Sequence, residues 1–211
     1  AEIDGLGSVF GRTPACEHPV LIGSHTDTVP NGGWLDGAMG VLYGLAMART
    51  WMAAGRSGGT GIEVASFIDE EGRFAGLLGS NVFAGRISPE AAMDYRAPEG
   101  ETLGEALAAA GLADRPVRTL DPARHRACFE AHIEQGPVLE AEGRRIGVVT
   151  RLVGVERAEI RWHGQADHAG TMPMAMRRDA AAALYDFAAR FTAFCRDEGS
   201  SETVWNLGRA D

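Results

Sequence analysis

Short β-branched runs alternate with helix-length stretches rich in Ala, Leu and Met, and this alternation restricts the fold more than any other feature of the chain. Residues 20–24 form a brief apolar run that ends in polar positions, the pattern of a buried strand. Residues 38–52 read as a helix, and residues 61–68 as a second strand with β-branched positions at every other place. A helix is expected over 77–86. Thr102 followed three places later by Glu105 forms a capping-box signal for a helix that stops at Gly111. Residues 128–134 read as a third strand, followed by a short helix over 138–142. Strand and helix in turn predict an α/β sheet domain.

The pattern changes near Gly143. Residues 146–154 and 155–163 are adjacent strand-like runs with no helix between them. A long helix follows over 178–196, with Leu184, Phe187, Phe191 and Phe194 on one stripe. A further strand is expected over 203–207. The expected organisation is therefore an α/β domain over 1–150 and the start of a smaller α+β domain over 151–211.

Composition excludes several kinds of function. A net charge of -9 on 211 residues lacks the basic face that nucleic acid requires. No apolar run has the length of a bilayer span, and the first residues have neither the basic nor the apolar region of a secretion signal, so no membrane partner is expected. Cys16, Cys128 and Cys195 are scattered and odd in number, which points to a reducing compartment, the cytoplasm. All 20 basic residues are arginine, so lysine Schiff-base and lysine-base chemistry are ruled out within these residues.

Three clusters place His or carboxylates just after an expected strand, where ligands gather in α/β sheets. In the first, His25 and Asp27 are two apart and point the same way in an extended segment, so Asp27 can orient a metal-bound His25 imidazole. Asp36 follows just before a helix, where it can serve as a ligand or as an N-cap. In the second, Asp69, Glu70 and Glu71 are consecutive, either a solvated acidic turn or a pair in which one carboxylate binds metal and another moves a proton. In the third, Glu130, His132 and Glu134 alternate along a strand and are expected on one face, as ligands or as an exposed edge. Hard oxygen and imidazole donors without Cys suit Zn²⁺ or Mn²⁺. A fourth segment holds His168 in a loop of small residues, either a plain strand-to-helix connection with Asp179 as capping acid or a donor presented to an oxyanion.

The motifs GSHTDTV, GGWLDGAMGV, DEEGRF, GSNVFAGR, AHIEQGPVLE and GQADHAGTMPM, in this order, resemble those of the hydantoinase/carbamoylase family. That family contains N-carbamoyl-L-amino-acid hydrolases, β-ureidopropionases and allantoate amidohydrolases, within the wider superfamily of zinc aminopeptidases and aminoacylases. The resemblance implies a zinc-exopeptidase-like catalytic sheet domain, a lid/dimerisation domain, two divalent metal ions (Zn²⁺ or Mn²⁺) and a homodimer formed through the lid. It implies hydrolysis of the C–N bond of a ureido group on an amino acid-like substrate. By the same resemblance, His25, Asp36 and His132 match the ligands of one metal. Asp36 bridges to a second metal, which takes Glu71, and Glu70 matches the general base. Gln135 and His168 match substrate contacts, with His168 reaching across the dimer.

Two departures stand beside it. Met172 replaces the usual second Thr of the His-Ala-Gly-Thr-Thr-Pro-Met motif, with a change expected in the loop rather than at the metals. Family members also continue for about another half-chain, which supplies a last metal-binding His and an Asn and Arg for the substrate carboxylate. The 211 residues are accordingly expected to be a fragment lacking both ends and, alone, to lack ureidohydrolase activity. The alternatives are a dipeptidase or aminoacylase of the same superfamily, or a non-catalytic metal-binding or dimerising domain.

Overall fold

A computed structural model describes residues 1–56 and 59–210, which form two compact units, Ala1–Gly147 and Val148–Asp211, with Asp211 itself outside the described residues. The first unit is built on a five-stranded sheet of β1 (Glu2–Ile3), β2 (Val9–Arg12), β3 (Cys16–His25), β4 (Gly59–Phe67) and β5 (Ala127–Phe129), in the order β1-β2-β4-β3-β5. β3 runs parallel to both β4 and β5, while β2 is antiparallel to β4. The three parallel strands therefore have their carboxyl ends on one edge of the sheet.

Both faces of β3 and β4 are covered, which is why their sequences are apolar at consecutive positions. Ile22, Ile62 and Val64 meet α1 (Ala38–Ala53) through Val41, Ala48 and Trp51. On the opposite face Leu21 and Ala65 pack with Phe10 and with Phe83 of α2 (Leu78–Phe83). A second core joins Leu6, Leu78 and Val82 to Ala92 of α3 (Pro89–Ala92) and to Leu103 and Leu107 of α4 (Leu103–Ala109). The α4 N-terminus carries both hydrogen bonds of the capping box between Thr102 and Glu105. α5 (Val138–Ala141) closes the series in this unit.

One polar group interrupts the second face. Glu63 of β4 is fully buried opposite Leu21, and its carboxylate accepts from Arg118 Nη2 at 2.6 Å and contacts His125 Nε2 at 3.0 Å. Arg124 Nη2 lies 3.7 Å away, and the Arg118 guanidinium sits over the Phe10 ring. This buried ion cluster ties the segment before β5 to the sheet. Nothing in the local pattern of residues 115–126 signals it.

The second unit contains α6 (Ala180–Glu198), started by Asp179, whose carboxylate accepts from the N–H groups of Ala181 and Ala182. Phe187 stacks on Phe191 and meets Trp162, so the expected apolar stripe has a partner over part of its length. The expected strands over 146–154, 155–163 and 203–207 are not formed. Val148, Leu152 and Val155 are 85%, 91% and 71% exposed. β propensity supplies only a preference for extended backbone; a ladder needs a partner edge and a buried face to set its register. Neither is present for these runs among the described residues. Similarly, the third strand ends at Phe129 instead of continuing to residue 134.

Candidate metal centre

His25 is the last residue of β3, Glu70 and Glu71 follow β4, and His132 follows β5, so the three parallel strands deliver their polar residues to one edge. Asp36 is brought there by the loop between β3 and α1. The ligand atoms of His25, Asp36 and His132 lie within 4.8 Å of one another. His25 and Asp36 are buried, while His132 is exposed.

Hydrogen bonding fixes which ring nitrogens face inward. His25 Nδ1 lies 2.9 Å from the Asp27 carbonyl, and His132 Nδ1 lies 2.7 Å from the Ile133 carbonyl. A carbonyl only accepts, so each Nδ1 carries a proton, and the neutral imidazole then turns the Nε2 lone pair inward. Those lone pairs face Asp36 Oδ1 at 3.7 Å from His25 and 2.8 Å from His132. Asp36 Oδ1 is buried with no hydrogen-bond donor of its own. Three electron-pair donors converging on one point repel unless a cation lies among them. This donor set fits a Zn²⁺- or Mn²⁺-like ion with an open position for a further ligand.

The surroundings hold these donors in place. Gln135 Nε2 donates to Asp36 Oδ2 at 2.7 Å, leaving Oδ1 turned toward the histidines. Ser24 Oγ donates to Glu130, joining the end of β3 to the residue just beyond β5. The Asp27 carboxylate is 3.6 Å from His25 Nδ1, so the ring is oriented by the Asp27 backbone carbonyl more than by its side chain. Asp27 Oδ2 instead accepts from the Glu71 N–H at 3.0 Å.

Two local readings are corrected. Asp36 is not the N-cap of α1: that place belongs to Gly37, at φ 66°, with no side-chain cap. A Cβ on Gly37 would lie 2.4–2.5 Å from ring atoms of His25. Glycine is needed here both for its left-handed backbone and for the room it leaves the ring. Gly37→Ala is therefore expected to displace His25 and weaken metal binding by about 10–100-fold, the range for disturbed orientation of a ligand. Competition with a chromophoric chelator measures it; wild-type affinity in a folded variant would refute the account. The second correction concerns the third cluster. Glu134 turns away and accepts from the N–H groups of Val138 and Leu139, capping α5, so Glu130, His132 and Glu134 do not share one face.

The acidic triplet divides its labour. Asp69, at φ 55°, folds its carboxylate back onto the N–H groups of Arg73, Phe74 and Ala75. The same loop is closed by Leu77 N–H on the Glu70 carbonyl and Gly79 N–H on the Ile68 carbonyl. Asp69 is thus a structural residue of the loop. Glu70 accepts a long hydrogen bond from Ser80 Oγ at 3.4 Å. Burial pushes the Glu70 carboxyl above the ordinary carboxylate range; His25 opposes the rise, and Glu130 and Asp27 add to it. Glu71 is placed beside Asp27 by its backbone, and its carboxylate is not part of the three-donor group.

In the second unit, His168 is exposed. Its Nδ1 accepts from the N–H groups of Gly170 at 3.1 Å and Thr171 at 3.2 Å. Met172 enters this loop through its backbone N–H, 3.4 Å from the His168 carbonyl. Among the described residues no helix is long and apolar enough to cross a membrane.

A family profile described as Peptidase family M20/M25/M40 matches residues 21–202. Among curated proteins, the N-carbamoyl-L-amino acid amidohydrolase of Geobacillus stearothermophilus is 43% identical over 187 residues, covering 85% of this chain and 46% of that protein. The allantoate amidohydrolase of Escherichia coli (strain K12) is 39% identical over 184 residues, 83% of this chain and 44% of that protein. Among solved structures, an amidase of the hydantoinase/carbamoylase family from Burkholderia phymatum superposes with a TM-score of 0.77 at 47% identity, covering 99% of this chain and 52% of that one. The chain spans about half the length of the curated relatives it matches.

Proposed function

Because this chain belongs to the peptidase family M20/M25/M40, with its likeness on the hydantoinase/carbamoylase side, we propose that it carries the metal-binding half of a hydrolase for the C–N bond of ureido groups. The substrate class is an N-carbamoyl-L-amino acid or allantoate. The observation that carries the reading is the convergence of the His25, Asp36 and His132 donors, with a half-buried carboxyl, Glu70, whose proton affinity is raised, in electrostatic reach of His25.

In this reading His25, Asp36 and His132 would hold one divalent ion, Zn²⁺ or Mn²⁺, and Asp36 with Glu71 would hold a second. Such ions supply Lewis acidity, making water nucleophilic at neutral pH and polarising the substrate carbonyl. Glu70 takes the proton of the attacking water and returns it to the leaving nitrogen; a raised proton affinity suits both halves of that task. Asp27 steadies His25 and the backbone of Glu71. Gln135 holds Asp36 and faces the substrate. His168, with Nδ1 occupied by backbone donors, presents Nε2–H to the carbonyl oxygen. Residues 1–150 form the catalytic part and 151–211 the beginning of a lid through which two copies pair, in the cytoplasm.

Two measurements test this. Titration of the 211-residue chain with Mn²⁺ or Zn²⁺ is expected to give unequal sites, the tighter held by His25, Asp36 and His132 and the weaker by Asp36 and Glu71. Two equally tight ions per chain would contradict the ligand division. Ammonia release from N-carbamoyl-L-amino acids, N-carbamoyl-β-alanine and allantoate, by the polypeptide that carries these residues, tests the substrate class. Turnover of unsubstituted dipeptides with none of the ureido compounds would overturn it.

A further inference from the structure

The loop that presents His168 is closed by a side chain not yet given a role. Arg177 Nη2 donates to the carbonyls of both His168 and Ala169, at 3.0 Å each. Arg177 is half-buried, and its own N–H is taken by the Pro173 carbonyl at 3.1 Å, so its stem is fixed at the far end of the same loop. The second of these carbonyls shares its peptide unit with the Gly170 N–H, which converges with the Thr171 N–H of the next unit on His168 Nδ1. A guanidinium suits this task because it is planar, always charged and able to offer fixed donors to two acceptors.

We propose that Arg177 is the positioning residue of His168: by drawing in the carbonyls of 168 and 169 it fixes the turn that holds the Gly170 and Thr171 N–H groups on Nδ1 and so locks the imidazole with its proton on Nε2. An N–H donated to Nδ1 requires a lone pair there, and in the neutral ring the proton must then sit on the other nitrogen. Without the clamp, the two carbonyls and the two N–H groups are free to turn to water. The ring then loses both its orientation and its tautomer preference. This inference rests on the reading that His168 donates to the substrate carbonyl, since the locked tautomer is the one that can donate outward. A lysine is a poorer substitute, because its single ammonium lacks the planar fork.

The test is direct and needs no turnover. With the ¹⁵N-labelled 211-residue chain on the alkaline side of the imidazole titration, His168 is expected to show a lone-pair-type Nδ1 resonance and a protonated-type Nε2 resonance. Arg177→Ala, and Arg177→Met, which keeps the stem and removes the donors, are expected to draw the two resonances toward a common average. Arg177→Lys is expected to restore part of the separation. α6 begins at Ala180 with its own cap, so helix content by circular dichroism reports whether each variant keeps its fold. A wild-type ring protonated on Nδ1, or an unchanged separation in either folded donor-less variant, would overturn the proposal. His168→Ala assayed for ureido hydrolysis in the complete enzyme tests the underlying reading separately, so the two can fail independently.

Discussion

Glu70→Gln is expected to lower ureido hydrolysis by the complete enzyme about 10²–10⁴-fold, the usual cost of removing a positioned general base, while metal content stays near that of the wild type. The amide keeps the size of the carboxylate and can still meet Ser80, so the loop between β4 and α2 has little reason to rearrange. What it loses is the ability to accept a proton at a site where partial burial raises the proton affinity of the carboxylate. Glu71→Gln is expected to behave oppositely, losing the weaker metal. Rates measured alongside metal content decide the matter, and exchanged phenotypes would show that the adjacent pair has been assigned the wrong way round.

The largest expected loss of stability lies away from the metal centre. Glu63→Ala leaves Arg118, Arg124 and His125 gathered in a buried space without their shared anion. Removing one partner of a buried ion cluster costs about 3–5 kcal/mol. Burial pushes the Glu63 carboxyl up, but the hydrogen bond and charge of Arg118, the contact with His125 and the charge of Arg124 together hold it below the ordinary Glu range. A group depressed in the folded state stabilises the fold fully above its unfolded value, and the contribution fades as pH falls through the lowered folded value. The stability gap between wild type and Glu63→Gln is therefore expected to be widest near neutrality and to shrink in acid, below the usual carboxylate titration. Urea unfolding across that range measures it. A gap of the same size at neutral and acid pH, or no gap at all, would mean that the cluster is not what holds residues 115–126 to the sheet.

The sequence by itself determined the elements that form through local chemistry or by lying fully inside the sheet. Apolar runs made β3 and β4, small and apolar residues made α1, the Thr102–Glu105 box started α4, and Asp179 started α6. It also marked His25, Asp36 and His132, because the structure gathers all three where strand ends meet. Tertiary structure alone decided what each polar group does once there. Asp69, Glu70 and Glu71 are equivalent as letters, yet Asp69 is spent on three backbone N–H groups while Glu70 meets Ser80 and feels the charges of His25, Glu130 and Asp27. Glu134 looked like a partner of His132 but caps a helix, since the chain leaves the ladder at Phe129 and alternation no longer governs direction. Glu63 and Arg118 are 55 residues apart, a pairing no local pattern can announce. The runs over 146–163 carry strand propensity without a strand, because a ladder depends on a second edge, and an edge is a property of the surroundings rather than of the segment.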